Sequence, residues 1–399
     1  MCYRDTMSQN SSNRNTGESA PSSGGIVDRR KFLSATVGGS LVTIAGCAGD
    51  DGDSGTEDEN VEEADEDWDE SELEGMTLDV TVWSGTFGQV FEEVVAPIYE
   101  DQYGVDLTIH HEWAELLANI RAAPEDDPPY DVAVADGNFY FPGIQEELYL
   151  PIREENVPNM EEIYPHLLDT RTHEYGVPID AGPMALIWTD DYEFSGEHPT
   201  SFSDLLSEDA QEANTAMEGS SVEYPVYTAA IASDRGLSAI EEGDWDYVFD
   251  TLDQKQIDQW IMGGADLWEW LDTGEVEFAQ YYTASGWTET QEREDWNIHF
   301  PENNLAYLDH YCVVRGTDKR RAAEHYINWL ASEECQSAWA AEYPQLMSNQ
   351  NVEYSDFGGI EENFPTTNEE WQDVITFDWD ILLDQYDDLD DRYQRSLLE

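Results

Sequence analysis

The stretch from residue 78 to 136 switches repeatedly between a two-residue and a helical apolar period, and this limits the fold class more tightly than any other feature. LDVTVW (78–83) alternates apolar with polar residues, as a half-buried strand does. After the turn-like SGTFG (84–88), Val90, Phe91, Val94, Val95, Ile98 and Tyr99 recur at helical spacing. A strand-like run (105–110), a helix-like run stopping before Pro124 (116–123) and the strand YDVAVAD (130–136) follow. Strand, helix, strand, helix, strand predicts a parallel α/β sheet. Ligands of such sheets sit outside the carboxyl ends of the strands, which places residues 83–87 and 136–141 at a binding edge.

Upstream, residues 28–47 read DRRKFLSATVGGSLVTIAGC: a basic patch, a short apolar run and a cysteine. The run is too short for a membrane span, which needs about 20 apolar residues. Arg29 and Arg30 before KFL resemble a twin-arginine export signal, and IAGC resembles a lipidation motif ending at Cys47. Residues 1–47 are therefore expected to be a leader, with Cys47 the lipid site. Fifteen Asp or Glu lie between Asp50 and Glu74 with few apolar residues, so 48–75 is expected to be a disordered acidic tether. The rest, 76–399, is long enough for two lobes.

The chain carries 89 Asp and Glu against 17 Lys and Arg, a net charge of −72. Such self-repulsion strains a compact fold in dilute salt, and the three Lys against 14 Arg resemble the balance of extreme haloarchaeal proteins. At molar salt the screening length falls to about 3 Å, so a salt-requiring fold is expected. Nucleic acid and anionic membrane surfaces are disfavoured partners. Acidic residues also lose value as site markers on so acidic a chain. Cys312 and Cys335 are permitted a disulfide outside the cell, but their spacing does not decide it.

Further along, residues 175–180 and 184–189 read as two strands around Ala181, Gly182 and Pro183, 275–282 and 305–314 as further strands, and 319–342 as a strong helix. PPYDVAVAD (128–136), GVP (176–178) with ALIWTD (185–190), HPTSFSDLL (198–206), and AEHYINWL (323–330) with SEECQ (332–336) occur in an order and spacing that resemble the extracellular solute-binding proteins of ATP-driven (ABC) importers. The resemblance implies an α/β, two-lobed periplasmic-binding-protein-like fold of type II, with hinge strands near 180–185 and 303–309. Lobe one would hold about 78–180 plus 310–399, and lobe two about 185–302. It also implies a monomer with no cofactor, whose partners are a small-molecule solute and the permease and ATPase subunits of an importer.

Among such proteins the polyamine, thiamine and ferric-ion binders look nearest. Tyr307 and Asp309 stand where polyamine binders place an aromatic residue and an aspartate; Trp83 and Ser84, with Thr86 behind them, match the end of the first strand, and Asp136, Asn138 and Phe139 the loop after the third. Tyr227 lies in the segment 223–227, where that group carries further acids, and the match there is poor. Tyr281 and Tyr282 resemble either the phenolate ligands of ferric-ion binders, for which 110–112 (HHE) offers the only other cluster, or the ring-packing tyrosine of thiamine binders. Trp188, Trp260, Trp329 and Trp339 read as core. No G-x-S-x-G elbow, H-E-x-x-H or phosphate-cradling glycine loop occurs, so no enzyme is expected; the alternative of another class is an extracellular hydrolase using a glycosidase-like acid pair among the abundant carboxylates.

Overall fold

The computed structural model describes residues 68–170, 174–196, 198–254, 257–301 and 304–396, all within one compact unit, Glu57–Glu399. The leader, Cys47 and residues 48–67 lie outside the described residues. Twelve strands are present among them: β1 Thr77–Trp83, β2 Asp106–Glu112, β3 Val132–Ala135, β4 Tyr149–Leu150, β5 Val177–Thr189, β6 Thr215–Glu218, β7 Gln259–Ile261, β8 Phe278–Tyr282, β9 Trp296–His299, β10 Leu305–Val314, β11 Leu346–Met347 and β12 Ile375–Thr376.

Two similar half-sheets result. In lobe one, β2, β1 and β3 run parallel in that order, and β10 joins antiparallel beside β3. Lobe two repeats the scheme with β7, β6 and β8 parallel and β5 antiparallel beside β8. Parallel neighbours need long crossovers, and helices supply them: Leu116–Ala122 between β2 and β3, and Gly264–Thr273 between β7 and β8.

β5 and β10 belong to both lobes. Residues 175–180 and 184–189, expected as two strands, form one thirteen-residue strand. Val177, Ile179 and Ala181 enter the lobe-one core, whereas Met184 and Leu186 enter the lobe-two core and Ile187 a smaller core on the opposite face. The backbone stays extended through Gly182 because β10 pairs with it there, Tyr307 lying opposite Gly182. A Cβ on Gly182 would fall 2.0 Å from the Tyr307 ring, so only glycine lets that ring lie across the strand.

Two domain boundaries move. Trp68 and Leu73, inside the expected tether, pack on lobe one: Leu73 is fully buried, Arg321 lies over the Trp68 ring at 4.4 Å, and Asp69 caps the short helix Glu70–Leu73. Their two apolar side chains find a core to enter, so the folded body begins by Trp68.

The C-terminal residues, expected in lobe one, pass instead into lobe two. Trp371 is in the lobe-one core, β12 pairs with the start of β10, and Phe377, Trp379, Leu382, Leu389 and Tyr393 fill the lobe-two core. In the helix Tyr386–Ser396, Leu389 and Tyr393 stand four residues apart and so share its buried face.

The helix expected over 319–342 is two, Arg320–Leu330 and Glu333–Glu342, divided where Ser332 turns to accept the Cys335 N–H at 3.2 Å. Trp329 and Trp339 are core, while Trp188 and Trp260 are half-buried. Cys312 and Cys335 are buried and form no disulfide with one another, and burial pushes the Cys335 thiol well above its ordinary pKa.

Candidate functional site

The ends of both half-sheets converge on one cavity of about 130 Å³. From lobe one come Trp83 and Ser84 after β1, Trp113 after β2, and Asp136, Asn138 and Phe139 after β3. From lobe two come Ser220 and Ser221 after β6, with Tyr281 and Tyr282 ending β8. Tyr307 of the crossing strand β10 closes the floor with Tyr343 and Gln345.

Of the expected site residues, Trp83, Ser84, Asp136, Asn138, Phe139, Tyr281, Tyr282 and Tyr307 meet here. Three do not. Thr86 opens the helix Thr86–Val90 and is not among the lining residues, and Tyr227 is a core residue whose hydroxyl accepts the Asp378 N–H at 2.7 Å. Asp309 is fully buried, and the Trp83 indole N–H donates to its Oδ2 at 2.8 Å, so the ring stands between this carboxylate and the cavity.

Phe87, at the end of the expected edge 83–87, also lines the cavity; sequence reading missed Trp113, Ser220, Ser221, Tyr224, Ser285, Tyr343 and Gln345. Trp113 follows the carboxyl end of β2 and obeys the rule that identified Trp83. Ser220 and Ser221 follow β6, whose sequence TAME has no strand-like alternation to reveal it. Tyr343 and Gln345 come from a distant loop and have no local signal.

The wall is aromatic, and several of its rings meet edge to face. Tyr282 meets Tyr307 at 85° and Tyr224 at 87°, and Trp83 meets Trp113 at 77°. Burial pushes the phenols of Tyr224, Tyr281, Tyr282 and Tyr307 well above their ordinary pKa, so they stand neutral. The cluster at 110–112 is spent elsewhere: His110 pairs with Asp79 at 3.0 Å, His111 with Glu92 at 2.8 Å, and none of the three lines the cavity. No group of three or more His, Cys, Asp or Glu placed to hold a metal occurs among the described residues.

Carboxylates form an outer layer behind this wall. Gln345 donates to Asp180 at 2.7 Å, Ser221 to Glu223 at 2.6 Å, and the Ser220 N–H to Glu218 at 2.9 Å. Asp180, Glu218, Glu223 and Asp309 are all buried, and no Lys, Arg or His is among the lining residues. Desolvation raises Asp180 and Glu218 to about 7 and raises Glu223 as well.

The helix Glu223–Ala232 starts at the cavity, and such a start ordinarily attracts anions. Here Glu223 is its first residue, and Glu218 accepts the Ser220 N–H just before it. Asp136 stands likewise at the start of the helix Gly137–Gln145.

Side chains join the lobes across the cleft. The Asn138 amide donates to Ser221 at 3.2 Å and Glu223 at 3.1 Å, Ser285 meets Tyr343 at 3.2 Å, and the Trp287 indole donates to the Phe357 carbonyl at 3.0 Å. Two lobes closing on a cavity at the carboxyl ends of their strands define a periplasmic-binding fold of type II.

Residues 93–365, about two thirds of the chain, match the family described as bacterial extracellular solute-binding protein, and the chain belongs to that family. It is accordingly an extracellular solute-binding protein of the kind that serves ABC transporters. Solved structures share the fold. An ABC transporter substrate-binding protein from Bradyrhizobium japonicum has a TM-score of 0.68 at 14% identity, over 80% of this chain and 99% of that one. AgtB of A. tumefaciens in complex with agropinic acid has 0.66 at 16%, over 81% and 99%. The spermidine/putrescine substrate-binding protein PotD of Streptococcus pneumoniae has 0.59 at 12%, over 80% and 99%. No curated protein matches the sequence.

Proposed function

We propose that this protein captures a small organic cation between its lobes and presents it to the permease of an ABC importer. The observation that carries this reading is the lining of the cavity: a wall of aromatic rings with Asp136 among them, backed by buried carboxyl groups, and no cationic side chain in it. Aromatic faces attract cations, most strongly when desolvated. An anionic solute would meet the carboxyl groups of Glu223 and Asp136 at the two helix starts, with Glu218 bonded to the Ser220 N–H just before the first. Polyamines fall within the proposed class, and the S. pneumoniae neighbour is named for two of them.

The proposal extends to location. Arg29, Arg30 and the motif ending at Cys47 support export by the twin-arginine route and lipid anchoring on the outer membrane face. An acidic leash before Trp68 suits a domain held off the surface beside its importer.

The test is thermal unfolding in molar KCl with putrescine, spermidine, thiamine, Fe(III) citrate, maltose and phosphate. A ligand at 100 times its Kd stabilises by about 2.7 kcal/mol. Stabilisation by the organic cations supports the proposal, and stabilisation by maltose or phosphate alone removes it.

A further inference from the structure

Resting on the cation reading above, we infer that the solute is a monoamine: one protonated nitrogen held by Asp136 and Asn138, and an uncharged body held by the aromatic wall. Among the acids gathered around the cavity, Asp136 alone has a side chain in the wall. Asp309 stands behind the Trp83 indole, Asp180 behind the Gln345 amide, and Glu223 and Glu218 behind Ser221 and Ser220. These four stand behind the wall and offer a ligand no oxygen.

Beside Asp136, the Asn138 Oδ1 is buried with no hydrogen-bond partner among the described residues, while its amide nitrogen is engaged across the cleft. A buried acceptor of this kind requires a donor. A protonated amine supplies N–H groups to both Asp136 and Asn138, and a quaternary ammonium supplies none.

Elsewhere the polar wall groups are committed to one another. Ser84 donates to the Glu112 carbonyl, Ser285 meets the Tyr343 hydroxyl, and Gln345 bonds to both Asp180 and Tyr307. Tyr282 is hydrogen-bonded to Tyr224 and otherwise meets the Tyr224, Tyr281 and Tyr307 rings. A second ammonium carried into this region would lose its water and gain ring faces but no carboxylate oxygen, so a diamine is penalised relative to a monoamine with an apolar tail.

The experiment is calorimetric titration of the wild-type protein in molar KCl with phenethylamine, n-butylamine, putrescine, spermidine and tetramethylammonium, with Trp83 and Trp113 fluorescence as a second reading. At least one monoamine is expected to bind about tenfold or more tighter than putrescine, spermidine and tetramethylammonium. Putrescine or spermidine binding as tightly as the monoamines overturns this inference and leaves the cation reading standing. Tetramethylammonium equalling the monoamines overturns the donor role assigned at Asn138. Failure of all five cations removes the cation reading itself, and the inference with it.

Discussion

The indole N–H of Trp83 donates to Oδ2 of Asp309 across 2.8 Å, joining the end of β1 to the crossing strand β10 in the interior. Asp309 therefore acts on a ligand only through the position and potential of the Trp83 ring. In Asp309→Asn the side-chain oxygen still accepts the indole, and cation affinity by calorimetry should stay within about threefold. In Asp309→Leu the indole N–H is left buried and unpaired, costing about 1–3 kcal/mol of stability. Asp136→Asn should weaken binding about tenfold or more, as loss of a charged hydrogen bond does. Equal losses in Asp309→Asn and Asp136→Asn would place Asp309 in the site after all.

Gly182→Ala tests the crossing. Its Cβ would fall 2.0 Å from the Tyr307 ring, and relief by moving Tyr307 should cost about 1–3 kcal/mol in denaturant unfolding. Ligand affinity should fall in the same variant, because the displaced ring is part of the wall. Unchanged affinity would show that Tyr307 contributes no contact.

Stability should depend on pH with a definite sign. Asp180 and Glu218 have folded pKa values of about 7, raised by burial above the unfolded carboxylate range. A raised acid contributes stability that is complete below its unfolded pKa and is lost as pH rises through its folded pKa. Between about pH 4 and 8 each should therefore cost on the order of 3 kcal/mol. The melting temperature in molar KCl should fall from pH 5 to 8, and Asp180→Asn should flatten part of that slope. A profile rising over this window would refute the assignment.

The C-terminal segment holds lobe two together. The Tyr393 hydroxyl donates to the Gly219 carbonyl at 2.9 Å, and Tyr386 donates to Glu223 at 2.9 Å beside the cavity. Tyr393→Phe should cost about 0.5–1.5 kcal/mol. Tyr386→Phe should also lower affinity, through Ser221 and Glu223, with little change in melting. Deletion from residue 377 onward uncovers the lobe-two core and should abolish cooperative unfolding.

Salt gives a fifth test. With a net charge of −72, the melting temperature should rise strongly between low and molar KCl. An unchanged value would show that the charge is tolerated without screening.

Much of the fold was legible because local periodicity encodes it. The alternation in LDVTVW and YDVAVAD gave β1 and β3, and the carboxyl-end rule then gave Trp83, Asp136, Asn138 and Phe139 without any tertiary information. Strands as short as β6 escaped, because four residues hold too little pattern to separate a strand from a turn.

The sequence by itself determined the alternation of strands and helices in the first lobe, two of the three places where the chain crosses between lobes, and the sheet edge at which the cavity lies. Tertiary structure alone decided which acids face that ligand. Tyr307 and Asp309 are two residues apart and share a face of β10, yet Tyr307 lines the cavity while Asp309 is covered by an indole from a strand more than 200 residues away. It also decided that the C-terminal helix returns to lobe two and that Trp68 and Leu73 join the body. Periodicity reports which way a side chain points from its own strand; what stands in front of it depends on long-range packing, which no local pattern records.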